Sequence, residues 1–359
     1  LLDYLIIGQG IAGTLMAYFL QKEGKKVHII DNNNPRSSSK HAAGIINPIT
    51  GRRYVKSWRI EDLLPFATKT YREIEAEHNI KVFNEIPLIR TLFDQGQRNH
   101  WMLRLNDPTY APFMDGKAEM GAYAEHLIPD FSYGQVLQSA RLDIPALIAH
   151  FRQYWIAAGV LSTLDVDFQQ LELKPGQVVY QSFTAKKIIF CEGNQAKNNP
   201  YFNYLPFGGA KGEVFEIEIP SVKFERIIKR QVFIVPLSNG NYWIGSTNRN
   251  QFENDLPSAY GKAFLIEKLA AFLKADYKIV SHNAAIRPTV KDRRPFLGIH
   301  PLYPQLALFN GLGTKGASLG PFWARHFIQH LIYDQPLETD VNIERFNISP
   351  KSGAKSIII

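Results

Sequence analysis

The sequence predicts an α/β fold, α+β overall, in two domains: one on a parallel sheet, the other on a mostly antiparallel sheet. Three observations predict it. The first 31 residues read strand, glycine turn, helix, strand, acid. The stretch 212–245 alternates apolar and polar residues, as a sheet with one wet face does. Near the end, residues 306–332 repeat a strand–glycine–helix junction.

Taken in order, Tyr4-Leu5-Ile6-Ile7 is a continuous apolar run suited to a strand buried on both faces. Gly8-Gln9-Gly10-Ile11-Ala12-Gly13 follows, then a helix over Ile11 to Lys22, with Gly24 as its stop. Val27 to Ile30 is a second strand, ending at Asp31. In this Rossmann-type unit, Gly8 permits the turn, Gly10 lets the backbone approach a pyrophosphate, and Gly13 allows close helix–strand packing. The helix N-terminus offers free N–H groups to phosphate. Asp31, 18 residues after Gly13, is suited to ribose hydroxyls and repels a 2′-phosphate. The bland alternative is a βαβ unit whose glycines serve packing alone.

Helices are expected over 61–78 and from Asp143 to Gly159, with Asp143 as N-cap and Pro145 in the first turn. Residues 80–140 read as mixed. Lys187 to Phe190 is strand-like and runs into Cys191-Glu192-Gly193. Phe233-Ile234-Val235 and Tyr242-Trp243-Ile244 flank Ser238-Asn239-Gly240-Asn241, a hairpin turn. Leu306 to Phe309 is a strand, Asn310 to Gly316 a glycine loop, and Ser318 to Ile332 a helix. The tail from Ser349 reads as loose. The expected division is a discontinuous nucleotide-binding domain over 1–75, 140–205 and 285–359, and a substrate domain over 76–139 and 206–284.

Composition narrows the classes. The chain has 359 residues, enough for two domains at about 150 each. Its single cysteine, Cys191, excludes an intramolecular disulfide and a Cys-rich zinc or iron–sulfur site held by this chain alone. That count fits a reducing, cytoplasmic setting. The apolar stretch Leu5 to Leu20 is interrupted by Gly8, Gln9, Gly10 and Gly13, so it is not read as a membrane span. Asp3 stands where the basic region of a signal peptide would be. The net charge of +8 permits a polyanionic partner without requiring one. No Gly-x-Ser-x-Gly nucleophile motif occurs.

With both glycine junctions in hand, the chain resembles the FAD-dependent D-amino-acid oxidase superfamily, which includes glycine and sarcosine oxidases. Gly8, Gly10, Gly13 and Asp31 match its dinucleotide fingerprint, although many members carry Glu at the last position. Ser38 to Ile45 is similar to its Ser-x-Ala-Ala-Gly segment, with His41 extra. Ile188 to Gly193 matches the strand that returns to FAD, with Cys191-Glu192 a departure from the usual Ala-Gly ending. Val235-Pro236 through Ile244-Gly245 matches the Val-Pro…Ile-Gly hairpin. Arg287-Pro288, Asp292, Pro295 and Gly298 match the Arg-Pro…Asp…Pro…Gly segment. Leu312 to Ser318 is also similar to a segment of a tRNA-modifying oxidase that removes a carboxymethyl group from 5-carboxymethylaminomethyl-uridine, and Gln335-Pro336-Leu337 resembles another.

The resemblance implies non-covalent FAD, since Cys191 does not match the attachment cysteine of sarcosine oxidases. The implied cofactor contacts are Gly8, Gly10, Ile11, Ala12, Gly13, Asp31, Ser39, Lys40, Ala43, Gly44, Val166, Glu192, Gly193, Gly311, Gly313, Thr314, Lys315 and Gly316. The implied reaction is oxidation of a C–N bond by hydride transfer to flavin N5, then imine hydrolysis and reoxidation by oxygen. Arg287 is the candidate carboxylate anchor, because its planar fork matches two oxygens. The alternative is an ion pair with Asp292. Lys315, beside a helix N-terminus, is the candidate stabiliser of negative charge on the reduced flavin, against a plain loop lysine. His326 and His330 are one helical turn apart, with no third metal ligand in sight, so no metal is expected. Basic clusters at Arg52, Arg53, Lys56 and Arg59, at Arg226, Lys229 and Arg230, and at Lys291, Arg293 and Arg294 leave an RNA footprint open. The leading expectation is a small amine or amino-acid substrate. Modified tRNA is the alternative, and a non-catalytic nucleotide-binding protein is the third.

Overall fold

The computed structural model describes residues 1–348; the tail from Ser349, expected to be loose, lies outside the described residues. The chain divides into two compact units. The first contains Leu1–Ala42, Ile144–Ala210 and the chain from Ile286 onward; the second contains Ala43–Asp143 and Lys211–Ala285.

The first unit is built on an eight-stranded sheet. Its parallel strands run in the order Leu161–Ser162, Val27–Ile30, Leu2–Ile7, Phe183–Phe190 and Leu306–Asn310. Ile29, Ile6, Ile189 and Ala307 lie in register across four of them, and all are fully buried. That is why these strands read as unbroken apolar runs: both faces of the sheet are covered. On one face Leu5, Ile7, Ile188, Phe190 and Leu308 join Phe202 and Phe296 in a core. The helices Ile11–Lys22 and Gly316–Tyr333 pack together closely enough that a Cβ on Gly320 would lie 2.5 Å from Leu15 Cδ1. The helix Ile144–Ala157 is tied to the first helix by Trp155, whose ring N–H donates to Gln21 Oε1 at 2.9 Å.

The second unit carries another eight-stranded sheet. Its order is Lys278–Arg287, Ala210–Glu218, Tyr242–Gly245, Phe233–Pro236, Ile227–Lys229, Leu88–Leu92, Ser132–Val136 and Met114–Asp115. Phe215, Ile217, Ile228, Ile234 and Ile244 pack in one cluster with Leu265 and Leu269 of the helix Ala259–Ala270. The alternation over 214–219 thus has its cause: every second side chain meets that helix. Hydrogen-bonded registers set Glu216 opposite Trp243, Phe233 opposite Lys229, and Lys229 opposite Arg90 on the other face.

The units divide at Ala42, so 43–75, expected with the nucleotide-binding domain, clusters with the second unit. The physical reason is strand pairing. Ile45–Ile46 pairs with Ala140–Leu142, which also pairs with Phe83–Glu85. The helix Ile60–His78 follows: Tyr71 stacks on Phe83 at 5.6 Å, and the Glu75 carboxylate accepts the Val82 and Phe83 N–H groups at 2.7 and 2.8 Å. Within the mixed 80–140 region a helix, Gln95–Leu105, begins at Asp94, which accepts the Gln97 N–H at 2.7 Å.

The tightest constraint in the first unit is at Gly13, where a Cβ would lie 1.8 Å from the Gly8 carbonyl oxygen. Gly13→Ala therefore forces backbone apart, and we expect a loss of about 3 kcal/mol in denaturant unfolding. An unchanged midpoint would contradict this packing.

Candidate nucleotide-binding and active site

The turn after the first strand is built by its glycines. Gly8 has φ +97°, which an L side chain rarely adopts, and a Cβ there would sit 2.5 Å from the Cys191 carbonyl oxygen. Gly10 is the N-cap of the helix Ile11–Lys22 and brings no side chain to it. Ser39 supplies the missing cap: its Oγ accepts the Ile11 N–H at 3.1 Å. The short 3₁₀ turn Ser38–Lys40 thus reaches the helix N-terminus, which Ala12 and Gly13 continue.

Asp31 ends the second strand, fixed from three sides. Its carboxylate accepts the Gln9 and Asn33 N–H groups, each at 2.8 Å, and pairs with Arg152 at 2.6 Å. Arg152 also donates to Thr163 Oγ1 at 2.6 Å. Gln9 in turn donates through Nε2 to the Ile148 carbonyl at 2.9 Å. Lys40 donates to the Asn33 carbonyl at 2.8 Å and to its side-chain oxygen at 2.6 Å. Burial lowers the Lys40 ammonium pKa, and the nearby Asp31 charge opposes that. Arg152 carries no motif and Gln9 stands in the turn without an assigned role; packing of the helix Ile144–Ala157 on this turn reveals both.

The return strand reaches the same place. Gly193 has φ +56°, and its carbonyl accepts from Asn310 Nδ2 at 2.9 Å, while Asn310 Oδ1 accepts the Gly311 N–H at 2.7 Å. Asn310 so ties the ends of the Phe183–Phe190 and Leu306–Asn310 strands. Burial pushes the Glu192 carboxyl up to about 7, against a hydrogen bond from Asn199 at 2.7 Å. The Cys191 thiol is buried and raised far above its ordinary range, first by desolvation and then by Glu192, which disfavours the reactive thiolate. Val166 packs against the core cluster holding Phe190.

The C-terminal loop closes the group. Gly311 and Gly313 take φ +77° and +56°. The Gly313 N–H donates to the Pro288 carbonyl at 3.0 Å, which pins the loop to the residue after Arg287. Thr314 is exposed, and Lys315 is the N-cap of Gly316–Tyr333. A Cβ on Gly316 would lie 3.1 Å from Ile11 Cγ2, so this loop abuts the first helix. Burial lowers the Lys315 ammonium pKa, and Arg293 and Arg294 lower it further. Arg287 ends its strand half-buried, and burial lowers its pKa too. Asp292, the acid weighed as its ion-pair partner, pairs instead with Arg345, Nε to Oδ2 2.8 Å.

The first unit thus gathers Gly8, Gly10, Ile11, Gly13, Asp31, Ser39, Glu192, Gly193, Gly311, Gly313 and Gly316 around one set of strand ends. Ala43 and Gly44 belong to the second unit, where Ala43 is buried and the Gly44 carbonyl accepts the Leu142 N–H at 3.0 Å. His326 and His330 bond to backbone: His326 Nε2 accepts the Glu338 N–H at 3.1 Å, and His330 Nδ1 lies 2.8 Å from the Gln335 carbonyl. The glycine turn, where added Cβ atoms would meet backbone, together with the Asp31 carboxylate, fits an extended dinucleotide.

Glu192 has a folded-state pKa above its ordinary value of 4.5, so its contribution to stability is full below that pH and is lost as pH rises to about 7. We expect stability to fall over this window by at most about 3 kcal/mol, and Glu192→Gln to flatten the fall, read from unfolding midpoints at several pH values.

Known proteins share this fold. Glycine oxidase of Bacillus licheniformis is 22% identical over 98% of this chain and 98% of its own length. Among solved structures, iminodiacetate oxidase from Chelativorans sp. BNC1 superposes with a TM-score of 0.77 at 22% identity, over 97% of this chain and 99% of that one. Glycine oxidase from Bacillus cereus ATCC 14579 gives 0.78 at 17% identity, over 94% and 96%. The family described as DAO, FAD dependent oxidoreductase, matches residues 3–330. Its members are enzymes, which sets aside the non-catalytic alternative, and its cofactor is FAD. The chain belongs to the DAO family of FAD-dependent oxidoreductases.

Proposed function

We propose that this protein oxidises the C–N bond of a small amine or amino acid bearing a carboxylate. The observation that carries the reading is Arg287. It is a half-buried guanidinium at a strand end, and the next residue, Pro288, holds the glycine loop that presents Lys315. A buried guanidinium facing a carboxylate makes two parallel charge-assisted bonds and fixes the substrate's orientation. Lys315 brings positive charge to the loop at the N-terminus of Gly316–Tyr333, where the helix dipole adds to it. Bound FAD supplies the acceptor for the hydride that leaves the substrate carbon. The nitrogen proton goes to solvent, and the imine takes up water to give a carbonyl compound and the released amine. Oxygen is the electron acceptor in this reading.

The small-substrate reading is favoured over modified tRNA by three cations of the basic clusters. Lys56 pairs with Glu61, Arg59 with Asp62 at 3.0 Å, and Arg230 with Asp130 at 2.9 Å. Cations already paired within the chain release fewer counterions when they meet phosphates. The similarity to glycine oxidase and to iminodiacetate oxidase points the same way.

The test is anaerobic. A panel of amines, amino acids and undermodified tRNA is added to the yellow holoenzyme, and bleaching of the flavin band identifies the substrate class. With a carboxylate substrate, Arg287→Ala should raise KM about 100-fold, with Arg287→Lys in between. Unchanged kinetics would remove Arg287 from the role. Bleaching by tRNA alone, weakening steeply with salt, would favour the nucleic-acid reading.

A further inference from the structure

The second unit holds two cations that the chemistry above does not use. Arg90 and Lys229 sit directly opposite each other on the parallel strands Leu88–Leu92 and Ile227–Lys229. Like charges in that position repel, and their partial burial makes the repulsion costly. Neither has an ion-pair partner among the described residues. Arg90 is hydrogen-bonded to the Tyr54 side chain, with its guanidinium 5.5 Å from the ring centre, and its Nε alone is buried with no hydrogen-bond acceptor. Lys229 donates to the Gln231 carbonyl at 2.6 Å and lies 4.2 Å from the Phe233 ring centre. The acids that could have neutralised them are committed elsewhere. Asp94 caps the helix Gln95–Leu105, and Asp130 is bound by Arg230 through three contacts of 2.9–3.2 Å.

The surroundings hold this arrangement rigid. Opposite Arg90 on its other side is Gly134, where a Cβ would run into the Trp101 ring at 2.3 Å. Trp101 is held by a hydrogen bond to the Asp115 carbonyl at 2.9 Å and packs edge-on against Tyr54, ring centres 5.1 Å apart. Tyr54 is fixed by donating to Gln97 Oε1 at 3.1 Å. Burial, then the Arg90 charge, pushes the Lys229 ammonium down to about 7. An anion between the two cations would relieve both penalties and give the Arg90 Nε an acceptor.

We propose that Arg90 and Lys229 form a binding site for a small oxyanion, a carboxylate or phosphate group, walled by Tyr54 and Phe233. The site goes beyond the carboxylate anchor assigned to Arg287 and stands on residues of the second unit alone. Calorimetric titration of the holoenzyme with acetate, succinate and inorganic phosphate tests it. At least one probe should bind, and Arg90→Gln and Lys229→Gln should each weaken that probe at least tenfold, while Lys223→Gln, an exposed lysine elsewhere on this unit, leaves it unchanged. Preference between succinate and phosphate names the class of anion. Arg90→Lys, which keeps a charge and loses the planar fork, should retain part of the affinity. If removing these cations impairs folding, thermal unfolding of the holoenzyme gives a second reading. In anion-free buffer Lys229→Met should melt above the parent, and the binding anion should raise the melting temperature of the parent more than that of the variant. Absence of binding by all three probes, equal affinity in parent and variants, or loss of binding in Arg287→Ala with retention in Arg90→Gln overturns the proposal.

Discussion

The approach of the first helix to the first strand, with Gly13 against the Gly8 carbonyl, sets the geometry on which the first unit depends. No other residue type allows it, because a Cβ would overlap backbone that has nowhere to move. The same close approach brings Gly13 to Cys191, just past the neighbouring strand, where a Cβ would lie 3.4 Å from the Cys191 Cβ. The C-terminal helix takes its position from the same helix, through Gly316 on Ile11 and Gly320 on Leu15. Three distant stretches of chain therefore meet at one line of strand ends.

Around that line the polar groups form a connected network. Asp31 is held by two backbone N–H groups and by Arg152, and Arg152 is held by Thr163. Asn310 bridges two strands where hydrogen bonding between them would otherwise stop. A site assembled this way is oriented before any ligand arrives, so less of the binding free energy goes into ordering side chains. Glu192 and Lys315 border the same strand ends, and burial shifts both, the Glu192 carboxyl up to about 7 and the Lys315 ammonium downward. Such groups mark places where local structure accepts an electrostatic cost.

The second unit handles charge differently. One face of its sheet is apolar and covered by the helix Ala259–Ala270. The other carries Glu216, Trp243, Phe233, Lys229 and Arg90 at the register positions between. The two faces follow from the period of two along each strand, yet the meeting of two cations depends on which strands become neighbours. Leu88–Leu92 and Ile227–Lys229 lie far apart in the chain, and only their pairing, Ile89 opposite Ile228, sets Arg90 beside Lys229.

Much of the first unit is legible in the sequence because its signals are local. A glycine turn, an apolar run and a helix stop act within a few residues, so Gly8, Gly13, Asp31, the helix Ile11–Lys22 and most of the helix Gly316–Tyr333, expected over Ser318 to Ile332, can be read from composition and spacing. The resemblance supplies Ser39 and gives a cofactor role to the glycine loop that spacing already shows at 310–316, and the structure gives a reason for both: a helix cap and a hydrogen bond to Pro288. Arg152 is not legible, since it belongs to no local pattern, and the distant partners of Gln9 and Asn310, which stand inside the glycine motifs, are hidden in the same way. The segment 43–75 joins the second unit for the same reason: pairing of Ile45–Ile46 with Ala140–Leu142 is invisible until the strands meet. The sequence by itself determined the elements and the chemistry of the glycine turn. Only the tertiary structure decided which charges are paired and which are left side by side, because ion pairing depends on distances of a few ångströms between residues that the chain order keeps apart.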